Sequence, residues 1–229
     1  MYFDMTYLIY VLPPLLISIW ASAHVKSTYA KYNRVANRRG YTAAMVARRI
    51  LDDNGLQSIR LERVSGELTD HYDPSAGVIR LSDSTFNSTS VGALGVAAHE
   101  CGHAVQHEVG YFPMKIRSAI IPVTQIGSSL AMPLALIGIV LGFPLLTEIG
   151  ILLFCAVVVF QLVTLPVEFN ASRRAMKTLE QDLILEQDEL QGARRVLTAA
   201  ALTYVAALLV ALGNLLRLLA LRDRRNGRR

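Results

Sequence analysis

The segment Ala98-His99-Glu100-Cys101-Gly102-His103 carries the pattern His-Glu-x-x-His inside an otherwise apolar run rich in small residues. Residues four apart share one face of an α-helix, so the spacing predicts that the imidazoles of His99 and His103 point at one metal ion. Two imidazoles and one further ligand form a catalytic type of zinc site that keeps a position for water. The offset of Glu100 around the helix lets its carboxylate accept a proton from that water. The segment therefore predicts a Zn²⁺-dependent hydrolase with Glu100 as general base.

A simpler alternative is a helix with two surface histidines and an incidental glutamate. Small residues on both sides of the pattern argue against it, because they let other elements approach the helix closely. The polar groups also lie in an apolar run, so they need partners in a cleft or in the interior. Cys101 lies off the shared face of the histidines and is expected to pack in the core. With Cys155 in an apolar run, the two cysteines indicate no disulfide framework, which fits a reducing compartment.

The composition is that of a membrane protein. Of 229 residues, 52% are hydrophobic, and the excess is concentrated in a few long runs. The formal net charge of +5 comes largely from Lys and Arg residues that flank these runs. Such residues orient a protein in the bilayer. We therefore expect the lipid bilayer as a partner and no nucleic acid.

Three apolar runs predict transmembrane helices at 5–23, 119–141 and 147–166, each close to the length of about 20 residues that a crossing needs. Gly142-Phe143-Pro144 predicts a tight turn between the second and the third, since one span across both would be far too long. The first run could instead be a cleaved signal peptide ending near Ala21-Ser22-Ala23. Its flanks argue against this, because Asp4 precedes the run and no Lys or Arg does.

A fourth uncharged run, 196–216, is also long enough to cross the membrane. A crossing would place several arginines after Arg217 outside, against the positive-inside rule. The alternative is a helix that lies along the cytoplasmic surface or packs on the catalytic domain. The basic residues after residue 23 place the N-terminus outside and the following segment in the cytoplasm. The sequence thus predicts a multi-pass protein of the cell membrane whose site faces the cytoplasm.

The segment 24–117 is predicted to form the catalytic domain. Thr42 can cap a helix from Ala43 to about Asp53, and Gly55 can end it. Alternation in 59–64 and 78–81 predicts two short strands, with a turn at 73–77 before the second. The strands would form a small sheet with an edge beside the metal helix, where an extended substrate could pair. Residues 88–90 offer caps for the metal helix.

Glu168 is the candidate third ligand. The two apolar runs after His103 return the chain to the side that it left, which brings Glu168 to the same membrane surface as the histidines. A solvated acid at the start of a helix is the alternative, because Pro166 suits either a first turn or a kink. Residues 167–195 are therefore assigned to a third-ligand helix and an acidic segment, in which 180–189 predicts a partly solvated helix.

Together, the segments Ala97–Gln106, Leu165–Ser172 and Leu68–Pro74 resemble the YugP-like membrane zinc metallopeptidases. The likeness extends over nearly the whole chain and includes the order of the apolar segments. It implies a glutamate-zincin peptidase domain with His99, His103 and Glu168 as zinc ligands and Glu100 as base. Aspartate is usual in the family where this chain has Asn170. An asparagine could still hydrogen-bond a ligand histidine, but it would support the basicity of that histidine less.

Other polar residues carry smaller predictions. His107, one turn beyond His103, is expected to be a structural or cleft residue and not a ligand. His71 and Tyr72 could donate a hydrogen bond to the oxyanion of a tetrahedral intermediate, or they could simply form a turn before Asp73. Arg173 and Arg174 are expected to meet lipid phosphates or acidic groups.

The predicted fold is a mainly α membrane protein. It combines a zincin-like catalytic domain, with a small β-sheet and the His-Glu-x-x-His helix, and three or four transmembrane helices. The predicted function is zinc-dependent endopeptidase activity on a peptide or protein substrate, with a regulatory protein partner left open. Two rivals are a catalytically silent zinc-bound membrane scaffold or adaptor, which has no need of Glu100, and a transporter. The transporter is disfavoured because the charged motif precedes the apolar hairpin.

Overall fold

The computed structural model describes residues 5–226, with side chains through residue 224. The fold is mainly α-helical with one small sheet, as the sequence predicts. In chain order the elements are α1 (Met5–Tyr10), α2 (Leu12–Tyr32), α3 (Ala43–Asp53), β1 (Arg60–Val64), β2 (His71–Asp73), β3 (Val78–Ser82), α4 (Val91–Glu108), α5 (Phe112–Leu141), α6 (Pro144–Gln181) and α7 (Gln187–Asn226).

Three of these helices are long and apolar enough to cross a membrane. They are α5, α6 and α7 as far as Arg224. The crossings predicted at 119–141 and 147–166 fall within α5 and α6, and the run 196–216 falls within α7. The first predicted crossing, 5–23, corresponds to α1 and part of α2, which are separated at Val11, and neither meets the same criterion. Its membrane assignment stays a prediction.

The chain divides into two compact units. A helical unit comprises the chain through Ser22, Lys115–Leu165 and the chain from Leu202 onward. A mixed unit comprises Ala23–Met114 and Pro166–Ala201, and it contains the sheet and the His-Glu-x-x-His segment.

Small residues bring the helices of the helical unit close together. A Cβ atom on Gly150 would collide with the backbone of Ala131 and Ala135, and one on Gly213 would collide with the carbonyl oxygen of Tyr10. Around these approaches, buried apolar side chains from α5, α6 and α7 form a core. At one end of the unit, the Arg222 Nη1 atom of α7 lies 3.4 Å from the Glu148 carboxylate, near the start of α6.

The mixed unit is organised around α4. Its Ser90 N-cap accepts a hydrogen bond from the Ala93 amide at 3.1 Å, which confirms the predicted cap. Gly102 lies so close to α6 that an added Cβ would be 2.7 Å from the Ala171 carbonyl oxygen. A Cβ added to Gly95 would similarly lie 3.2 Å from the Ala193 Cβ atom of α7. The expectation that small residues around the motif permit close approach is confirmed, and α4 is largely buried as a result.

The sheet contains both predicted strands and one more. Its order is β1-β3-β2, with β1 parallel to β3 and β2 antiparallel to it. The predicted turn is present, since the Asp73 carboxylate accepts hydrogen bonds from the amides of Ser75 and Ala76. The added strand, β2, contacts α4. The sheet edge beside α4 is therefore β2.

Other local predictions are confirmed at residue level. Helix α3 spans Ala43–Asp53, and Thr42 caps it by accepting the Met45 amide at 3.2 Å. Helix α5 ends at Leu141 and α6 begins at Pro144, so Gly142 and Phe143 form the predicted turn. These boundaries follow local capping and turn chemistry, which explains why the sequence indicates them.

Two boundaries differ from the predictions. Residues 180–189 do not form one helix, because α6 ends at Gln181 and α7 begins at Gln187, with Leu183 in the left-handed region at φ 52°. Pro166 starts no new helix but lies inside α6. Two acidic residues of this segment instead pair with the loop between α2 and α3. Arg38 pairs with Asp188 at 2.6 Å, and Arg39 pairs with Glu186 at 3.2 Å.

Candidate metal centre

The two histidines of the motif lie on one face of α4, one turn apart. Their ring centroids are 4.7 Å apart and the rings are nearly perpendicular. The side chains of His99 and His103 are 14% and 10% exposed, so both open to a small part of the surface. The helical spacing of four residues places both side chains on this face.

Glu168 of α6 faces both imidazoles. Its Oε2 atom lies 3.2 Å from His99 Nε2 and 3.5 Å from His103 Nε2, and its side chain is only 2% exposed. The candidate ligand atoms of the three residues all lie within 4.8 Å of one another, so the group could hold a metal ion. Two imidazole nitrogens and one carboxylate oxygen are a donor set that suits Zn²⁺. The structure thus brings together the three residues that the sequence selected.

Each histidine is also held through its other ring nitrogen. His103 Nδ1 lies 3.0 Å from Gln106 Oε1, and His99 Nδ1 lies 3.1 Å from the Ser172 hydroxyl. Gln106 is fully buried, and its amide nitrogen donates to the Val167 carbonyl at 2.8 Å. Its Oε1 is therefore the acceptor, so His103 donates from Nδ1 and its Nε2 atom faces the site.

Sequence reasoning missed Gln106 and Ser172. Gln106 follows His103 by three residues, and Ser172 follows Glu168 by four, so each lies one turn from a candidate ligand. That spacing is the only local signal for their role. Whether a side chain at such a position reaches the ring depends on how α4 and α6 pack.

Among the described residues, Asn170 forms no hydrogen bond with His99 or His103. Its Oδ1 atom accepts hydrogen bonds from Gln106 Nε2 at 2.9 Å and from Arg174 Nε at 2.8 Å. The expected hydrogen bond from Asn170 to a ligand histidine is therefore replaced by an indirect link through Gln106. Arg174, expected to meet lipid phosphates or acids, binds this asparagine. Two donors thus converge on a neutral oxygen.

Glu100 is 8% exposed and lies next to the cluster on α4. Its Oε2 atom accepts a hydrogen bond from the backbone amide of Tyr72, in β2, at 2.9 Å. This contact fixes the carboxylate and joins the edge strand to α4. Of the two alternatives for His71 and Tyr72, the simple turn is wrong, because both residues belong to β2.

The remaining candidates have structural partners. The Tyr72 hydroxyl lies 3.0 Å from His107 Nδ1, and His71 Nδ1 lies 2.8 Å from the Thr69 carbonyl oxygen. Among the described residues, His107 is not one of the three whose candidate ligand atoms converge. Cys101 is fully buried with its Sγ 3.5 Å from the Ala47 carbonyl oxygen, which confirms its packing role. Burial raises the pKa of its thiol and keeps it protonated.

The cluster favours positive charge. Burial lowers the pKa of His103. The hydrogen bond to Glu168 and the negative charges of Glu100 and Glu168 raise this pKa by more than burial lowers it. The net pKa lies above the ordinary value for histidine. A cation bound between the three side chains would meet the same two carboxylates.

A family model described as "Putative neutral zinc metallopeptidase" matches residues 7–223. The "Putative membrane protease YugP" of Bacillus subtilis (strain 168) is 49% identical over 201 residues, which cover 88% of this chain and 89% of that protein. No solved structure matches.

Proposed function

Because the chain belongs to this neutral zinc metallopeptidase family, we propose that it is a membrane-embedded, zinc-dependent endopeptidase. His99, His103 and Glu168 are the metal ligands, and Glu100 is the general base. The observation that carries the proposal is the convergence of two Nε2 atoms on one buried carboxylate. A peptide or protein is the substrate.

The residues present fit Zn²⁺ on chemical grounds. Both imidazoles have their Nδ1 atoms engaged by the protein, so the Nε2 atoms are left for a metal. Bound zinc supplies Lewis acidity, which polarises a scissile carbonyl and activates a water molecule at neutral pH.

Glu100 performs the proton transfers. The Tyr72 amide holds one carboxylate oxygen of Glu100, so the carboxylate has a defined orientation beside the ligands. Glu100 accepts the proton that the attacking water loses and delivers it to the nitrogen of the leaving amine. Because β2 provides both this amide and the sheet edge next to α4, an extended substrate paired with that edge lies close to the base.

The protein is proposed to cross the membrane several times with its site on the cytoplasmic side. The distribution of Lys and Arg supports this orientation, with the turn between α5 and α6 outside. Contacts within the helical unit support a fourth crossing by α7. Its Arg222 pairs with Glu148, just after that turn, and its Gly213 packs on Tyr10. These contacts place the end of α7 at the same end of the helical unit as the turn.

The test compares zinc content and peptide hydrolysis in the purified wild type and in Glu100→Gln. We expect zinc in both proteins, and a loss of hydrolysis of about 100-fold or more in the variant, since general-base catalysis contributes about that much. Equal hydrolysis by both proteins would refute the role of Glu100. Zinc in both with hydrolysis in neither would favour the silent scaffold, and zinc in neither would refute the metal centre.

A further inference from the structure

A cavity of about 410 Å³ lies in the mixed unit between α2 and the first turns of α7. Lys31 and Tyr32 line it from α2, and Arg194, Arg195 and Thr198 line it from α7. No acidic side chain of the described residues lines this cavity. It is separate from the metal centre, with which it shares no residue.

The cations around the cavity lack acidic partners. Among the described residues, Lys31, Arg194 and Arg195 take part in no ion pair. No acid lies three or four positions from any of them along its own helix. Most arginines of the same unit behave differently and pair with carboxylates. These are Arg38, Arg39, Arg48, Arg49, Arg60, Arg63 and Arg80. Three cations without an ion pair among the described residues therefore lie together at the cavity.

The arrangement is held in place by Tyr32. Its ring packs against Gly192, where an added Cβ would lie 2.8 Å from the ring atom Cδ1. The Arg195 Nη1 atom donates to the Tyr32 hydroxyl at 2.9 Å, and the Lys31 ammonium lies 5.5 Å from the centre of the ring. One aromatic side chain thus positions two of the three cations, which lowers the entropy cost of binding an anion.

The cavity lies where two helices leave apolar sequence. The uncharged run 196–216 of α7 starts directly after Arg195. In α2, the apolar run 5–23 ends eight residues before Lys31. Basic pockets at such positions meet the phosphate groups of membrane lipids. Arginine in particular binds phosphate through two parallel hydrogen bonds.

We propose that this cavity binds a phosphate group, supplied by the headgroup of an anionic phospholipid. Arg194, Arg195 and Lys31 neutralise the phosphate, and the Thr198 hydroxyl is an additional donor. The site anchors α2 and α7 to the lipid surface. It does not depend on the proposed peptidase activity.

The test measures binding of short-chain phosphatidylglycerol to the full-length protein in a neutral detergent, by ³¹P NMR or native mass spectrometry. The variant Arg194→Gln/Arg195→Gln should bind at least about tenfold more weakly, because each basic residue contributes about fivefold near an anionic lipid. The matched control is Lys26→Gln/Arg34→Gln. It removes the same charge from exposed residues outside the cavity and should bind within about twofold of the wild type.

Equal weakening in both double variants would overturn the proposal, because it would reduce binding to general surface charge. No binding by the wild type would overturn it as well. Titration with inorganic phosphate separates the two sources of the group. If millimolar inorganic phosphate displaces the lipid as effectively as added lipid does, the cavity is a phosphate site whose ligand is the free ion and not the lipid headgroup. Equal thermal midpoints of the two variants exclude misfolding as a cause.

Discussion

The candidate metal centre and the cavity between α2 and α7 differ in how their charged groups are paired. In the metal centre, Glu168 meets two imidazoles, and each imidazole is held from behind by Gln106 or Ser172. In the cavity, three cations form no ion pair with any carboxylate of the described residues. The first site is already ordered by the protein, whereas the second still has charge for a ligand to neutralise. A metal ion would therefore complete an existing geometry at the first site, whereas an anion would supply the missing negative charge at the second.

Removing the carboxylate of the metal centre should have the largest effect. Glu168→Ala takes away one candidate ligand and leaves His99 and His103 without the group that they face. We expect zinc affinity to fall by more than the 10- to 100-fold that is typical of losing an outer-sphere partner. Competition with a chromophoric chelator measures this. Zinc retention equal to the wild type would remove Glu168 from the ligand set.

Breaking the support of a ligand should have an intermediate effect. Gln106→Leu removes the acceptor for His103 Nδ1 and keeps a buried side chain of similar size. Zinc should bind about 10- to 100-fold more weakly, because the ring loses both its orientation and its fixed proton position. The exposed Gln57→Leu is the control and should bind like the wild type. Unchanged affinity in Gln106→Leu would mean that the metal alone orders the ring.

Adding charge behind the ligand should have the smallest effect and the opposite sign. In Asn170→Asp, a carboxylate replaces the neutral oxygen that accepts from Gln106 and Arg174. The added negative charge pairs with Arg174 and favours a nearby cation, so zinc should bind a few-fold more tightly. The same chelator competition measures it. Weaker binding would show that the neutral amide is the better partner in this chain.

Features set by neighbouring residues could be predicted from the sequence. The caps at Thr42 and Ser90 and the turn after Leu141 depend on a few adjacent residues, and the structure has all three. The shared face of His99 and His103 follows from helical spacing. Glu168 lies 69 residues beyond His99, yet it could be selected, because two apolar runs of membrane length predict that the chain returns to its starting side.

Features set by packing could not be predicted. Strand β2 has three residues, too few for an alternation signal, and it is a strand because it pairs with β3. The acidic segment near residue 185 has helical composition, but α6 ends before Leu183, which lies in the left-handed region, and Ile184 and Leu185 are buried in the short connection before α7. Helix α7 starts nine residues before the apolar run at Val196, since hydropathy marks membrane contact and not the end of a helix.

Gly102 has a consequence for how this chain can vary. It lies between the two histidines in the sequence, and its missing side chain lets α4 approach the Ala171 carbonyl oxygen of α6. Ala171 in turn lies between Glu168 and Ser172, so any side chain at position 102 would push away the carboxylate and the hydroxyl together. In a genetic screen for loss of function, Gly102 should score with the ligand residues, although it offers no atom to the metal or to the substrate.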